Sequence, residues 1–150
     1  MTAFVGRQSV TVIIIKDKMV LANLRDDKDW IWNPDMWSMP GGQADGDETL
    51  VEALVREIWE ETAQAVSPDQ LEPLLNFHYA GINTITTVFR LRPYPDQFVT
   101  FECREGVELK WVTVDDVLSG QIRSEVTGKM HDVAPEHLDI FQRMRRCLPS

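Results

Sequence analysis

Three glutamates constrain this chain most: Glu57, Glu60 and Glu61, inside Arg56-Glu57-Ile58-Trp59-Glu60-Glu61 and shortly after the Gly41-Gly42 pair. At about 100° per residue, a helix brings the three carboxylates within about 100° of one another. Leu50, Leu54 and Ile58 fall on or beside the same arc, so the acidic cluster borders the face that turns inward. Like charges at i,i+3 and i,i+4 repel, and taking them partly out of water is costly. Such an arrangement asks for a positive partner among the carboxylates. A hard divalent cation answers, because Mg²⁺ takes oxygen ligands and is commonly shared with substrate phosphates. On the helix alone the competing reading, a solvated acidic face, stays open, since Glu is a good helix former. The Gly-Gly turn at a set distance upstream shifts the balance towards a site.

The rest of the chain reads as strands with few helices. Ser9 to Ile15 is rich in β-branched residues and reads as a buried strand, turned at Asp17-Lys18 into a second strand from Met19 to Leu24. Asp26 to Trp37 reads as irregular, with Asn33-Pro34-Asp35 marking a turn. Asp47 is the expected N-cap of a helix from Glu48 to about Gln64. Further strands are expected at Leu71–Tyr79, Thr84–Leu91, Phe98–Cys103 and Val107–Thr113, and helices at Val114–Leu118 and Pro135–Cys147. This order favours an α/β fold with a mixed sheet packed between helices over a regular βαβ repeat. With 150 residues and no repeat or linker, residues 1–150 read as one domain.

Gly42, five residues, Glu48, seven residues and then Arg56-Glu57-Ile58-Trp59-Glu60-Glu61 resembles the signature of the Nudix hydrolases. The family's closing Gly is Ala63 here and the apolar residue after it is Gln64. A closing Gly would end the helix in a left-handed turn, so Ala either bears a cost of about 1 kcal/mol or moves the cap. The resemblance implies a Nudix α/β/α sandwich and a Mg²⁺- or Mn²⁺-dependent pyrophosphohydrolase acting on a nucleoside diphosphate linked to another group. It assigns Glu57 and Glu61 as principal metal ligands and Glu60 as a further one, with Gly42 contributing a backbone carbonyl. Arg56 would orient Glu57 or pair with Glu48, and Ile58 fills the motif's apolar position. A glutamate near Trp111 often serves the family as an extra ligand or general base; of Glu102, Glu105 and Glu108, the last best resembles the family pattern. Trp37-Ser38-Met39-Pro40-Gly41-Gly42 resembles the approach to the motif in nucleoside-triphosphate pyrophosphatases, so a nucleoside triphosphate, oxidised forms included, is the expected substrate. ADP-sugar or dinucleoside-polyphosphate hydrolysis and a non-catalytic nucleotide-binding module are the alternatives.

Arg25, Trp30, Trp32 and Gly41 are the candidates for substrate contact. Trp30 and Trp32 sit two apart in the irregular segment, so at most one stacks a base if that segment is extended. Trp37 reads as core. The formal charge of −9 argues against duplex DNA and anionic membrane as partners but not against a nucleotide arriving with a metal. Cys103 and Cys147 have no zinc-site spacing and read as reduced thiols. No signal-peptide core or membrane span is apparent, so a cytoplasmic protein is expected; a homodimer is allowed.

Overall fold

The computed structural model describes residues 6–79, 82–92 and 101–149. In chain order the elements are β1 (Arg7–Lys16), β2 (Met19–Leu24), β3 (Trp37–Ser38), β4 (Gly41–Gln43), α1 (Leu50–Thr62), β5 (Leu71–Tyr79), β6 (Thr84–Leu91), β7 (Glu108–Thr113), α2 (Val114–Leu118), β8 (Gln121–Arg123), β9 (Met130–Asp132) and α3 (Pro135–Met144). β1 is the spine. Its apolar run is buried on both faces, as a central strand covered by helices requires. Val10, Val12 and Ile14 share one core with Leu54 and Ile58 of α1. Ile13 points the other way, into a core with Val117 of α2 and Ile140, Phe141 and Met144 of α3. The result is three layers, helix, mixed sheet and helices, as the sequence implied.

β1 runs parallel to β6 from Arg7↔Thr84 to Ile14↔Leu91. Its other edge is shared between two antiparallel partners, β4 at Ser9–Thr11 and β2 at Ile15–Lys16. Between them the strands part, and the Val12 N–H donates to the Pro40 carbonyl at 3.0 Å. Asp17 and Lys18, both at positive φ (52° and 65°), make the two-residue turn into β2. β2 pairs with β7 along its whole length, and β5 forms the far edge beside β6.

α1 starts later than Asp47 would place it. Thr49 is the N-cap, its hydroxyl accepting from Glu52 N while Glu52 accepts from Thr49 N. This reciprocal box prevails because Glu48 is engaged by Arg56 instead. At the other end Ala63 takes up the left-handed conformation (φ 63°) and donates to Trp59 O. The cap therefore stays where the family's Gly would put it, at a conformational cost of about 1–2 kcal/mol.

Phe101 to Arg104 is irregular, while residues 98–100 of the strand expected there lie outside the described residues. The reason is visible in the bonding: Glu102 N and Arg104 N donate to Thr62 O and Glu61 O at the end of α1 rather than to a ladder. The final helix ends at Met144 and tightens into a 3₁₀ turn over Arg145–Cys147. The β8–β9 hairpin and short strands β3 and β4 arise in stretches without strand periodicity. Among the described residues, no helix is long and apolar enough to cross a membrane.

Candidate active site

The gap between β4 and β2 is where the site forms. Gly41 lies so close to β1 that a Cβ there would sit 2.1 Å from Val10 O. Gly42 faces α1 instead, and a Cβ on it would come within 2.5 Å of the Glu57 carboxylate. Only glycine leaves room for that carboxylate at the strand. The Gly41 N–H donates to Glu61 Oε2 at 2.9 Å, tying the end of α1 to the same turn.

Arg56 organises the acidic side chains. It grips Glu48 in bidentate fashion, with Nε to Oε2 at 2.8 Å and Nη2 to Oε1 at 2.9 Å. Its Nη1 donates to Glu57 Oε1 at 2.9 Å and to Glu60 Oε2 at 3.2 Å, and its Nη2 to Gln43 O at 3.1 Å. Both contacts expected of Arg56, to Glu57 and to Glu48, are present. Hydrogen bonding from Arg56 draws the Glu48 carboxyl down to about 2, helped by the Asp45 N–H.

Glu57 and Glu61 are different. Burial pushes the Glu57 carboxyl up to about 7 even though Arg56 pulls it down. Burial, then the charge of Glu57, lift Glu61 well above the usual carboxylate range against the Gly41 N–H. Oxygens of Glu57, Glu61 and Glu105 lie within 4.8 Å of one another. Three hard oxygen donors around a space kept clear by Gly42, two of them partly taken out of water, suit a divalent cation.

The structure brings Glu105, not Glu108, to this cluster. The Glu108 carboxylate accepts from Ser124 Oγ at 2.7 Å and from the Val126 and Glu125 amides at 3.2 and 3.4 Å, binding the β8–β9 connection. It is buried and does not line the cleft. Glu108 is the one favoured from sequence because Glu108-Leu109-Lys110-Trp111 resembles the family pattern; Glu105 arrives through an irregular loop, which periodicity cannot place. Glu60 also stands aside: it is 42% exposed, pairs with Arg56, and is absent from the three-carboxylate group. Ile58 is fully buried in the core under α1.

Glu57, Glu61 and Glu105 stand in the lining of a cleft of about 970 Å³. Arg25 and Trp32 line it as well, Arg25 Nε donating to Trp32 O at 2.7 Å. Trp32 Nε1 and Asn33 Nδ2 donate to the two oxygens of Glu136, at 3.2 and 2.8 Å, pinning the loop to the start of α3. Trp30 points away: it is 81% exposed, lies outside the cleft lining, and has Lys28 Nζ 5.8 Å from its ring. Trp37 is core, with Nε1 donating to Ile122 O at 2.9 Å. His137 was not singled out from the sequence. Its Nδ1 accepts from Met39 N at 3.1 Å, and burial lowers its pKa to about 4, so the ring is neutral. With Nδ1 as acceptor, the proton sits on Nε2.

Known proteins resemble this chain in sequence and fold. The NUDIX domain model matches residues 6–133. A MutT-like protein of Streptomyces ambofaciens is 32% identical over 106 residues, 71% of this chain and 62% of that protein. Phosphatase NudJ of Escherichia coli K12 is 28% identical over 107 residues, 63% of each chain. The matches thus span somewhat under two thirds of these two relatives. A solved MutT protein from Methanosarcina mazei Go1 superposes with a TM-score of 0.69 at 26% identity, over 93% of both chains. With its signature intact from Gly42 to Glu61 and its sheet split to admit that signature, the chain belongs to the Nudix family.

Proposed function

We propose that the protein is a divalent-metal-dependent pyrophosphohydrolase that cleaves a nucleoside triphosphate to the monophosphate and pyrophosphate. The observation that carries this reading is the group formed by Glu57, Glu61 and Glu105, placed in the wall of a cleft large enough for a nucleotide. Glu57 and Glu61 hold the cation and Glu105 completes the oxygen set, with the Gly42 backbone beside them. A Mg²⁺ or Mn²⁺ ion held by these carboxylates would supply positive charge against the phosphate oxygens and would ease deprotonation of water near neutral pH.

The chain's own residues supply positioning. Arg56 fixes Glu57 through Oε1, leaving Oε2 without that bond. Gly41 fixes Glu61 through Oε2. Each carboxylate thus has one oxygen anchored by the protein. Arg25 places positive charge in the cleft wall, where it meets the polyphosphate, and Trp32 offers a face to the base. Water adds to the phosphorus on one side of the α–β bridge, that bridging P–O bond breaks, the group on the other side leaves with the electron pair, and the proton released by the water passes to solvent. Such transfer depends mainly on alignment and charge stabilisation.

The test is a panel of nucleoside triphosphates, oxidised nucleotides, ADP-ribose, sugar nucleotides and diadenosine polyphosphates with Mg²⁺ or Mn²⁺, with products separated. Pyrophosphate and a monophosphate from a triphosphate are expected, with loss of activity in EDTA. Orthophosphate release from a diphosphate or triphosphate would replace this substrate assignment, and turnover undiminished by EDTA would remove the metal.

A further inference from the structure

Glu105 is the odd member of the carboxylate group. Glu57 and Glu61 ride on a helix, whereas Glu105 is exposed and sits in the irregular stretch before β7. A donor on a loop contributes to a cation site only if the loop is held, since ligand geometry must be set before binding. Two anchors flank it. On the C-terminal side Asn23 Nδ2 donates to Glu105 O at 3.0 Å and Val107 N donates to Leu24 O at 2.8 Å. Between them Gly106 (φ 83°) lies where a Cβ would meet Leu24 O at 2.5 Å, so this turn is pressed onto β2.

On the N-terminal side the loop is docked on the end of α1. Glu102 N and Arg104 N satisfy the Thr62 and Glu61 carbonyls, which a helix terminus leaves without partners. The Arg104 guanidinium then lies over the Trp59 ring, 4.9 Å from its centroid. Trp59 is 47% exposed and points away from the core, and it fills a variable position of the motif. Its exposure has no packing explanation; its partner does. Arg104 is the residue next to Glu105, and its amide bonds the backbone of Glu61, itself a member of the group.

We propose that the Trp59–Arg104 stack is a clamp that holds Glu105 against Glu57 and Glu61 and so sets the affinity of the site for a divalent cation. The proposal rests on the cation site argued above. Trp59 and Arg104 are positioning residues, acting through Glu105. The clamp makes a prediction of definite sign. Removing the positive charge of Arg104, the residue next to Glu105, should, by Coulomb attraction alone, leave cation binding unchanged or tighter. Loss of the clamp should weaken it.

The experiment is a titration of the full chain with Mn²⁺, free ion being followed by electron paramagnetic resonance, together with the Mg²⁺-induced rise in melting temperature. Arg104→Ala and Trp59→Ala should each weaken Mn²⁺ binding by about two- to fivefold, the scale of an exposed cation–π contact. Trp59→Phe, which keeps a ring, should retain most of the affinity. The double variant should be no weaker than the weaker single one, because both remove one contact. Melting in EDTA reports on folding: Trp59→Phe and Arg104→Lys keep the question open to measurement if an alanine variant does not fold. Mn²⁺ bound as tightly or more tightly by Arg104→Ala, or additive losses in the double variant, would overturn the clamp. A wild-type chain that binds no Mn²⁺, or a Glu57→Gln variant that binds it normally, would instead overturn the site.

Discussion

Along the α1 wall of the cleft, Gly42, Glu57 and Glu61, backed by Arg56 and Glu48, come from one short, continuous stretch, whereas the remaining wall gathers Arg25, Trp32, Asn33, Glu136 and His137 from opposite ends of the chain. The first set is fixed by local means: a capped helix, a glycine turn and one arginine with four acceptors. The second is tied by single long-range bonds, such as Trp32 to Glu136 and Met39 to His137. Local construction preserves chemistry, because neighbouring residues keep their spacing whatever surrounds them. Construction from distant segments leaves the second wall free of the fixed spacing that holds the acidic centre. Changes in the first wall should act on turnover and on metal; changes in the second should act on substrate binding.

The largest effect should come from the paired glutamates. Glu57→Gln and Glu61→Gln keep shape but lose the charge a hard cation needs, and turnover should fall by at least about a hundredfold. Because both carboxyls are forced upward by burial, the same variants should melt no lower than wild type in EDTA near neutral pH. Near-normal turnover in both would put the reaction elsewhere. Gly42→Ala tests the same wall through space instead of charge. Its Cβ would stand 2.5 Å from the Glu57 carboxylate, and displacing that group by about 1 Å should cost on the order of a hundredfold in turnover. An active Gly42→Ala enzyme with unchanged metal affinity would show that Glu57 has room to spare.

How much of this was legible in the sequence follows the same division. β1, β2, β5, β6, β7 and α1 declare themselves through β-branched runs and helical periodicity, and the acidic face of α1 through its spacing. The three-layer arrangement follows, since β1 is apolar on both faces. What escaped notice depends on contacts between distant residues. Glu105 could not be preferred over Glu108, because its position comes from the docking of an irregular loop on the helix end. His137 carries no motif; only its bond to Met39 brings it to the cleft. Trp30 and Trp32 are indistinguishable in sequence, and a partner more than a hundred residues away, Glu136, separates them. Asp47 is the N-cap expected from sequence, yet Glu52 stands at capping-box distance from Thr49, a signal the sequence carries.

Proton linkage gives a middle-sized effect confined to the first wall. Without metal, burial lifts Glu57 to about 7 and Glu61 well above the usual carboxylate range, whereas both titrate near 4.5 when unfolded. The native state therefore binds more protons than the unfolded one. The contribution of these groups to stability is fully present below the unfolded value and is lost as pH rises from there through 7 and beyond. A cation should offset the loss. Saturating Mg²⁺ or Mn²⁺ at a hundred times its Kd is worth about 2.7 kcal/mol, a rise of about 5 °C or more for a chain of this size. The rise should be larger at about pH 8 than at pH 5, where protons compete for the same oxygens. Melting curves across pH, with and without the ion, check this; a rise independent of pH would mean that the ion binds outside the carboxylate group.

The smallest effects on turnover belong to the second wall, and two tryptophans sharpen the comparison. Trp32 lines the cleft with its indole N–H held by Glu136, while Trp30 projects into solvent under Lys28. Stacking a base is worth about 1–3 kcal/mol, so Trp32→Ala should raise KM about ten- to a hundredfold. The turnover number should move much less, since a stacked base is held about equally in substrate and transition state. Trp30→Ala should leave both constants within about twofold of wild type, as a surface substitution away from the site does. Glu136→Ala removes the acceptor of both Trp32 and Asn33 without touching the ring, and should share the direction of Trp32→Ala at smaller size. Steady-state kinetics on the preferred nucleotide separate the cases. Should Trp32→Ala instead lower turnover with KM unchanged, the loop would be serving the acidic centre, and the division between the two walls would fail.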